Sequence, residues 1–294
     1  MKSIVSYPDR GTYGKNTYRG NCSGKIIEDL CKQFKVSELT DFMAGSGTSK
    51  DVAAALGIEG HFYDLNGNFD GGNFDIMTQD IPLRSEMIFW HPPYWDIVKY
   101  AGSQYKADEA QLRADLSKAQ SWEEFVREMN YACLKQFSSL ERGGRMCVLM
   151  GDIKKKGRLY SMVAEIAKPG TLEQIVIKAQ HNCVSDSTSY TGSFIPIVHE
   201  YLMIVRKDAG LIFPVLLTGT RTMDIRDLHG STWRDVVYET LVDLGRDASL
   251  SDLYHGIEGH QKCAHNPNWK AKVRQVVQDE RYFTRVSCGV YRAA

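Results

Sequence analysis

The sequence has no run of apolar residues that approaches the roughly 18 needed for a membrane-spanning helix. Its N-terminal segment, residues 1–8, lacks the apolar region of a secretory signal. The seven cysteines include no Cys-x-x-Cys pair, which argues against a zinc site and against a disulfide framework. These absences predict a cytoplasmic protein with reduced thiols, no metal site and no membrane partner.

The sequence also lacks an excess of charge of either sign. Lysine and arginine total 36, aspartate and glutamate also total 36, and the formal net charge is zero. A neutral total does not by itself favour a nucleic-acid partner, because that affinity depends on local clusters of Lys and Arg. With 294 residues, 43% hydrophobic and 24% charged, the composition is that of a globular protein with one large domain or a large and a small one.

Strand-like and helix-like segments alternate up to about residue 206, which predicts a parallel sheet with helices on both faces. The predicted strands cover residues 60–65, 74–77, 87–90, 145–150, 172–179 and 199–206. The predicted helices cover residues 25–34, 51–56, 122–140 and 161–167, and Gly143 and Gly144 are expected to break the third helix. The fold class expected is therefore α/β, with a doubly wound and mostly parallel sheet.

A glycine-rich turn at residues 40–49 separates an apolar segment from a helical one. Gly45 and Gly47 can adopt positive φ and allow a ligand to approach the backbone closely. A lone Gly-x-Gly is weak evidence for a nucleotide site, so this turn alone does not identify a function.

A second unusual segment, Trp-His-Pro-Pro-Tyr-Trp-Asp-Ile-Val at residues 90–98, follows the apolar run at residues 87–89. Each proline holds φ at about −65° and removes a backbone donor. Carbonyl groups are thereby left free to accept hydrogen bonds beside an aromatic face. Such a loop suits a flat ring with an exocyclic amino group, although Pro-Pro-aromatic also occurs in ordinary loops and that interpretation stays open.

Together, the two segments resemble motifs of the amino-group DNA methyltransferases, which modify adenine N6 or cytosine N4. Residues 41–48 resemble that family's Asp-Pro-Phe-Ala-Gly-Ser-Gly-Thr loop, with Phe42 and Met43 in place of Pro-Phe. Residues 91–94 resemble its Asp/Asn/Ser-Pro-Pro-aromatic motif, with His91 in the first position. Further similarity at 143–152 and 197–207 extends the resemblance over about residues 15–207 and implies a Rossmann-like methyltransferase fold.

The resemblance implies that the chain binds S-adenosyl-L-methionine as its cofactor. It places Asn21 and Ser23 at the cofactor carboxylate and Asp41 at its ammonium group. Asp64 takes the position of the acid that holds ribose hydroxyls, and Asp80 that of the acid beside the adenine amino group. A helix cap or loop carboxylate is the alternative for these two. The full predicted cofactor set is Asn21, Ser23, Asp41, Met43, Ala44, Gly45, Ser46, Gly47, Asp64 and Asp80.

The predicted catalytic residues are His91, Pro92, Pro93 and Tyr94. By the resemblance, a neutral His91 nitrogen and the Pro92 carbonyl accept hydrogen bonds from the target amino group, and Tyr94 stacks on a base flipped out of the duplex. A protonated histidine cannot accept, so activity is expected to fall at acidic pH. The departure at His91 also admits an inactive site. Adenine N6 is favoured over cytosine N4 as the target.

The composition changes after residue 207, and residues 208–230 are predicted to form a linker. Residues 231–294 are predicted to form a unit of three helices and a hairpin, with a capping box at Ser249 and an N-cap at Asn266. This order resembles a winged helix-turn-helix. A solvated helix face is the alternative to DNA contact by its third helix. The predicted DNA-binding residues are Lys270, Lys272, Arg274, Gln275 and Gln278.

The leading interpretation is a site-specific DNA methyltransferase, within a restriction-modification system or acting alone. Catalysis is assigned to residues 1–207 and DNA binding to residues 231–294. Double-stranded DNA is the expected partner, and a second copy of the chain or a cognate nuclease would fit the same interpretation. Two alternatives stay open: an enzyme of the same fold that methylates RNA or protein, and a DNA-binding regulator with an inactive methyltransferase domain.

Overall fold

The computed structural model describes residues 1–69, 72–181, 193–208, 213–219, 224, 226 and 231–294. The chain divides into two compact units, Met1–Gly219 and Thr220–Ala294. Much of the predicted linker at 208–230 lies outside the described residues, and its part at 213–219 belongs to the first unit. Within the described residues, no helix is long and apolar enough to span a membrane.

The first unit alternates strands and helices along most of its length. Its strands are β1 (Ile4–Ser6), β2 (Glu38–Asp41), β3 (Glu59–Phe62), β4 (Ser85–Trp90), β5 (Leu140–Met150), β6 (Ile153–Lys155), β7 (Arg158–Tyr160), β8 (Lys168–Pro169), β9 (Thr171–Ala179), β10 (His199–Arg206) and β11 (Val215–Leu216). Its helices are α1 (Gly24–Phe34), α2 (Thr48–Leu56), α3 (Glu109–Ala114), α4 (Trp122–Ser138) and α5 (Met162–Glu165), with a 3-10 helix at Leu116–Lys118.

A seven-stranded sheet in the order β1-β9-β10-β5-β4-β2-β3 forms the centre of the first unit. Strand β10 runs antiparallel to both of its neighbours, and every other pairing in this sheet is parallel. The order changes direction next to β2, as it does in doubly wound sheets. The predicted α/β fold with a doubly wound, mostly parallel sheet is confirmed.

Strand β4 is buried on both faces, and its side chains alternate between two hydrophobic cores. Ile88 and Trp90 pack with α4 in one core, whereas Met87 and Phe89 pack with α1 and α2 in the other. Successive residues of a strand point to opposite faces, so a strand covered by helices on both sides is apolar throughout. The predicted coverage of both sheet faces by helices is confirmed.

Helix α2 begins and ends at glycines whose backbone is left-handed. Gly47, with φ of 88°, is its N-cap, and Gly57, with φ of 66°, is its C-cap. Residues with a Cβ rarely adopt this conformation. The helix starts at Thr48, three residues before the predicted start. The glycine turn is therefore short, because it lies between the end of β2 and the first turn of α2.

The predicted strand at residues 74–77 is wrong, because the segment forms a turn. Asp75 Oδ1 accepts a hydrogen bond from the backbone N–H of Met77 at 2.9 Å, and Asp75 Oδ2 accepts one from the Thr78 hydroxyl at 2.7 Å. A carboxylate that satisfies nearby backbone donors competes with strand pairing. An isolated bridge between Asp64 and Asn73 lies just before this turn.

The prediction that Gly143 and Gly144 break a helix is also wrong. Helix α4 ends at Ser138, and both glycines lie inside β5. A Cβ on Gly144 would lie 2.8 Å from the carbonyl oxygen of Glu86 in the neighbouring strand. Glycine is therefore required here for close strand packing, which the local sequence does not reveal.

The second unit contains helices and a small antiparallel sheet. Its helices are α6 (Trp233–Leu244), α7 (Leu250–Ile257), α8 (Gln261–Ala264) and α9 (Trp269–Val276). Its strands are β12 (Ala248–Ser249), β13 (Phe283–Ser287) and β14 (Val290–Ala293), in the order β12-β14-β13. Their shared core includes Val236, Val237, Leu241, Leu253, Ile257, Val273, Val277, Phe283 and Tyr291.

The helix caps of the second unit follow the local sequence with one correction. The capping box predicted at Ser249 is present with Asp252 and opens α7. Asn266 does not cap α9, which begins at Trp269 after Asn268. Instead, Asn266 Oδ1 accepts a hydrogen bond from the Asn268 N–H at 3.0 Å, a local turn that delays the helix.

Replacement of Gly144 by alanine is expected to destabilise the first unit. The new Cβ would lie 2.8 Å from a backbone oxygen of β4 that cannot move freely. We expect Gly144→Ala to lower the free energy of unfolding by about 1–3 kcal/mol in denaturant titration. Gly219→Ala is the control, because a Cβ there meets no atom of the described residues within 4 Å. Equal stability of the two variants would contradict this account of strand packing.

Candidate active site

A cavity lies where the carboxyl ends of β2, β3 and β4 meet. In open α/β sheets, ligands bind at this edge, where the strand order changes direction. The cavity is lined by Tyr18, Gly20, Asn21, Cys22, Asp41, Phe42, Met43, Ala44, Gly45, Ser46, Thr48, Ser49, Asp64, Leu65, Phe74, Asp75, Ile76, Phe89, His91, Pro93, Tyr100, Tyr105, Ala114, Asp115 and Leu116. The glycine turn and the Pro-Pro loop, separated in the sequence, therefore share one cavity.

Two carboxylates hold the glycine turn in place. Asp41 accepts hydrogen bonds from the Met43 N–H at 2.9 Å and from the Ser49 hydroxyl. Asp64 accepts hydrogen bonds from the Gly45 N–H and the Asn66 N–H, each at 2.8 Å. Because β2 and β3 are paired in parallel, both acids lie at the same edge of the sheet.

The same two carboxylates are buried without a basic partner. Burial raises the pKa of Asp41 from 3.8 to about 7 and the pKa of Asp64 from 3.8 to about 6. The hydrogen bonds that each accepts lower its pKa but do not offset burial. Among the described residues, neither acid forms an ion pair. A cavity with two uncompensated carboxylates favours a cationic ligand.

The N-terminal loop before α1 packs against the glycine turn through Asn21. Its side-chain oxygen accepts a hydrogen bond from the Thr48 hydroxyl, and its amide donates to the Lys15 carbonyl at 3.1 Å. Ser23, also predicted at this site, lies outside the cavity lining. Its hydroxyl donates to the Arg10 carbonyl at 3.0 Å.

The turn at Asp75 changes which acid lies at the cavity. Asp80, the predicted adenine contact, is exposed and lies outside the cavity lining, whereas Asp75 and Ile76 are part of that lining. The Asp75 N–H donates to the Gln79 side chain at 2.7 Å, which completes the turn and carries the chain away before residue 80. The placement of Asp80 is therefore corrected. Gly47, the N-cap of α2, also lies outside the lining.

Aromatic side chains that sequence reasoning missed form another part of the cavity wall. The rings of Tyr18 and Tyr100 lie 6.0 Å apart, and Tyr105 and Phe74 complete this part of the lining. A Cβ on Gly20 would lie 2.2 Å from the Tyr100 hydroxyl oxygen, so glycine is needed for the close approach. Spacing could not identify these residues, since the three tyrosines come from two separate loops.

The Pro-Pro loop begins where β4 ends. His91 and Pro93 line the cavity, and Trp90 Nε1 donates to the sulfur of Met43 at 3.1 Å, which joins this loop to the glycine turn. Trp95 closes the loop with φ of 42°, a left-handed conformation that is uncommon for a large residue. Within the described part of the chain, the Pro92 carbonyl has no hydrogen-bond donor.

Behind the cavity, four side chains form a continuous hydrogen-bonded row. His91 Nε2 lies 3.0 Å from the Tyr94 oxygen, and the Tyr94 hydroxyl donates to Glu200 Oε1 at 2.7 Å. Lys178 Nζ donates to Glu200 Oε2 at 2.6 Å, and the two residues are direct partners across β9 and β10. Glu200 belongs to the His-Glu-Tyr segment noted in the sequence, but nothing in the sequence assigned it this role.

The electrostatics of this row keep His91 neutral. Burial lowers the pKa of His91 from 6.5 to about 4, although Glu200 opposes the shift. Burial alone would raise the pKa of Glu200, but Lys178 holds it below its usual range. Burial and Glu200 raise the pKa of Tyr94 well above its usual value. Because His91 stops accepting a hydrogen bond only when it is protonated, the loss of activity predicted in acid is expected near pH 4.

Tyr94 occupies a different position from the one expected for a stacking ring. It lies outside the cavity lining, and its hydroxyl is held by Glu200. A Cβ on Gly151 would lie 2.8 Å from Tyr94 Cε2, so the ring packs directly against Gly151. The structure therefore places Tyr94 between His91 and Glu200.

The predicted DNA-binding residues lie on or beside α9 of the second unit. Lys270 is 5.3 Å from the Trp269 ring centroid, and Lys272 donates to the Gln275 side chain at 2.9 Å. Arg274 donates to the Tyr254 hydroxyl at 3.0 Å. Gln278, beyond the helix end, donates to the Tyr291 hydroxyl at 3.0 Å. Among the described residues, none of these three cations forms an ion pair with an acid.

Comparisons with known proteins find solved structures of low similarity to this chain. No protein-family model matches the chain, and no similar curated protein is found. A structure from work on converting a disulfide bond into a thioacetal group during echinomycin biosynthesis is similar (11% identity, TM-score 0.31, 62% of this chain and 81% of that one). TrmN from Thermus thermophilus is similar at 11% identity and a TM-score of 0.26, over 69% of this chain and 43% of that one.

A further similar structure is CalS10, an amino pentose methyltransferase from Micromonospora echinaspora, with S-adenosylmethionine bound. The identity is 12% and the TM-score 0.25, over 67% of this chain and 76% of that one. Scores this low carry no weight for the reaction of this chain. Its own sheet, doubly wound and parallel apart from one antiparallel strand, has a Rossmann-like topology. Within the described residues, no group of three or more His, Cys, Asp or Glu is placed to hold a metal ion.

The raised pKa of Asp41 predicts a pH-dependent stability. Folded Asp41 keeps a proton that the unfolded chain has lost, so its stabilising contribution is complete below pH 3.8 and is lost as pH rises through about 7. Asp41→Asn removes this titration. Its free energy of unfolding, relative to the parent, should rise by about 2–3 kcal/mol between about pH 5 and pH 8. Asp80→Asn, at an exposed site, is the control. If the free energy of unfolding of Asp41→Asn changed with pH in the same way as that of the parent, the prediction would be contradicted.

Proposed function

We propose that this chain is a DNA methyltransferase that uses S-adenosyl-L-methionine. It transfers the methyl group to the exocyclic amino nitrogen of a flipped base, adenine N6 in preference to cytosine N4. One observation carries the proposal: a neutral His91 lines the same cavity as a glycine turn held by two buried carboxylates. An acceptor for an amino group and a site for a cationic cofactor are thus adjacent.

The charge and shape of the cavity support S-adenosylmethionine as the cofactor. This molecule carries a sulfonium and an ammonium group, and a cation bound beside Asp41 and Asp64 would favour their ionised forms, which pair with no basic side chain in the described chain. Gly45 adopts positive φ and allows close approach of the backbone. Tyr18 and Phe74 offer aromatic surface for the adenine ring. When bound, the cofactor supplies an electrophilic methyl group.

The residues of this chain would prepare the amino nitrogen to receive that group. The lone pair of an exocyclic amino group is shared with its ring, which makes the nitrogen a poor nucleophile. Acceptors on its two hydrogens, His91 and the Pro92 carbonyl, would localise the lone pair and direct it. The contribution is mainly positional. After transfer, the amino nitrogen releases a proton, which a neutral imidazole nitrogen can accept.

The second unit supports double-stranded DNA as the substrate. Its order of helix, short strand, further helices and hairpin, with the sheet order β12-β14-β13, fits a winged-helix domain. Lys270, Lys272 and Arg274 lie on α9 without acidic partners in the described chain, so their charges are available to phosphates. Lys270 and Arg274, four residues apart, share one side of this helix. Arg246, Arg281 and Arg292 of this unit are instead paired with aspartates, and Arg281–Asp279 at 2.7 Å is an example.

Methyl transfer from labelled S-adenosylmethionine, scored separately in DNA, RNA and protein, tests the proposal. We expect label in DNA, and long-read sequencing of DNA from expressing cells should locate modified bases in one motif. His91→Ala should reduce transfer by about 100-fold or more, whereas His61→Ala, outside the cavity, should not. Label only in RNA or protein would assign the same fold to another substrate. Cofactor binding without transfer to any polymer would identify an inactive DNA-binding regulator.

The proposed DNA face is tested by charge removal. We expect Lys270→Ala, Lys272→Ala and Arg274→Ala together to weaken DNA binding by the full chain. The slope of log affinity against log salt should fall by roughly 3, about one for each lost phosphate contact. The matched control removes the same charge from Arg246, Arg281 and Arg292, which are paired with Asp252, Asp279 and Asp247. If both triple variants lowered the affinity for DNA and the salt slope equally, the assignment of α9 as the DNA-binding helix would be contradicted.

A further inference from the structure

We infer that Tyr94, Glu200 and Lys178 position His91, holding its proton on Nε2 so that Nδ1 is the acceptor for the target amino group. This inference rests on the proposed function for the identity of the donor, but the state of His91 can be measured without any activity. It assigns Tyr94 to positioning His91 instead of stacking on the base. It also explains why a histidine can stand where the resembling family has Asp, Asn or Ser.

The assignment follows from counting protons along the row. A carboxylate only accepts hydrogen bonds, and Glu200 receives one from Lys178 at 2.6 Å and one from Tyr94 at 2.7 Å. Tyr94 has a single hydroxyl proton, and that proton is used on Glu200. The Tyr94 oxygen can therefore only accept from His91 Nε2, which lies 3.0 Å away. His91 Nε2 must carry the proton.

The opposite arrangement has a clear electrostatic cost. If Tyr94 donated to His91, Glu200 would have to be protonated in order to donate to Tyr94. Lys178 would then be left as a buried cation without a charged partner, and both side chains of this pair are at most 10% exposed. Removing the charge of one partner of a buried ion pair is strongly unfavourable, because the other charge is left buried without compensation. The ion pair thus determines which nitrogen of His91 is protonated.

With Nε2 protonated, Nδ1 carries the only lone pair of the ring that can accept a hydrogen bond. Nδ1 has no partner among the described residues, and His91 lines the cavity. An aspartate in this position would add a negative charge near Glu200, whose Oε1 lies 4.0 Å from His91 Nε2. A neutral histidine avoids this repulsion and still presents an acceptor.

The direct test is nitrogen-15 NMR of the full chain with labelled histidine. Long-range proton–nitrogen correlation distinguishes a protonated ring nitrogen from a bare one, and the His91 signals are those missing from His91→Gln. We expect a protonated Nε2 and a bare Nδ1 at neutral pH. A protonated Nδ1 would overturn the inference, whether or not the protein methylates DNA. In Tyr94→Phe, which keeps the ring but loses the hydroxyl, we expect a mixture of both tautomers.

Kinetics of the same variant supply a second test. We expect Tyr94→Phe to lower kcat for methyl transfer by about 10- to 100-fold and to leave the KM for S-adenosylmethionine nearly unchanged. Tyr7→Phe is the matched control, because Tyr7 also donates to a carboxylate, Asp29 at 2.5 Å, but lies outside the cavity lining. An unchanged kcat with an unchanged tautomer would overturn the inference. A parent protein with the expected tautomer but no transfer to DNA would instead overturn the proposed function.

Discussion

The parallel pairing of β4 with its two neighbours is the constraint on which the first unit depends. Strand β4 lies between β2 and β5 and supplies Ile88 and Trp90 to one core and Met87 and Phe89 to the other. Parallel strands end at the same edge, so the loops after β2 and β4 must meet there. The hydrogen bond from Trp90 Nε1 to Met43 joins these loops directly.

Two sets of buried charge lie at this edge and differ in their compensation. Asp41 and Asp64 are buried among neutral hydrogen-bond donors. Burial disfavours the ionised form of each carboxyl group and raises its pKa. Glu200 is buried with Lys178 and remains ionised. The first pair has no cationic partner within the described chain and can ionise against a cationic ligand, whereas the second is neutralised internally and acts on its neighbours through hydrogen bonds. Binding and positioning thus depend on separate groups of acids.

The second unit separates its charges in a comparable way. Arg246, Arg281 and Arg292 are paired with aspartates, and such exposed pairs contribute little to stability but neutralise the surface locally. Lys270 and Arg274 on α9 have aromatic partners instead. A chain with equal numbers of acidic and basic residues therefore still presents a basic helix face.

The sequence by itself determined the alternation of the longer strands and helices, apart from the strand expected at 74–77, together with the glycine turn and the Pro-Pro loop. These features depend on local periodicity and on the φ restrictions of glycine and proline. Only the tertiary structure decided that Asp75 and not Asp80 lies at the cavity, that Gly144 belongs to a strand, and that Lys178 and Glu200 lie behind His91. These contacts depend on strand register and packing across the sheet; Tyr94 and Glu200, for example, are 106 residues apart. Local patterns contain no information about such pairs.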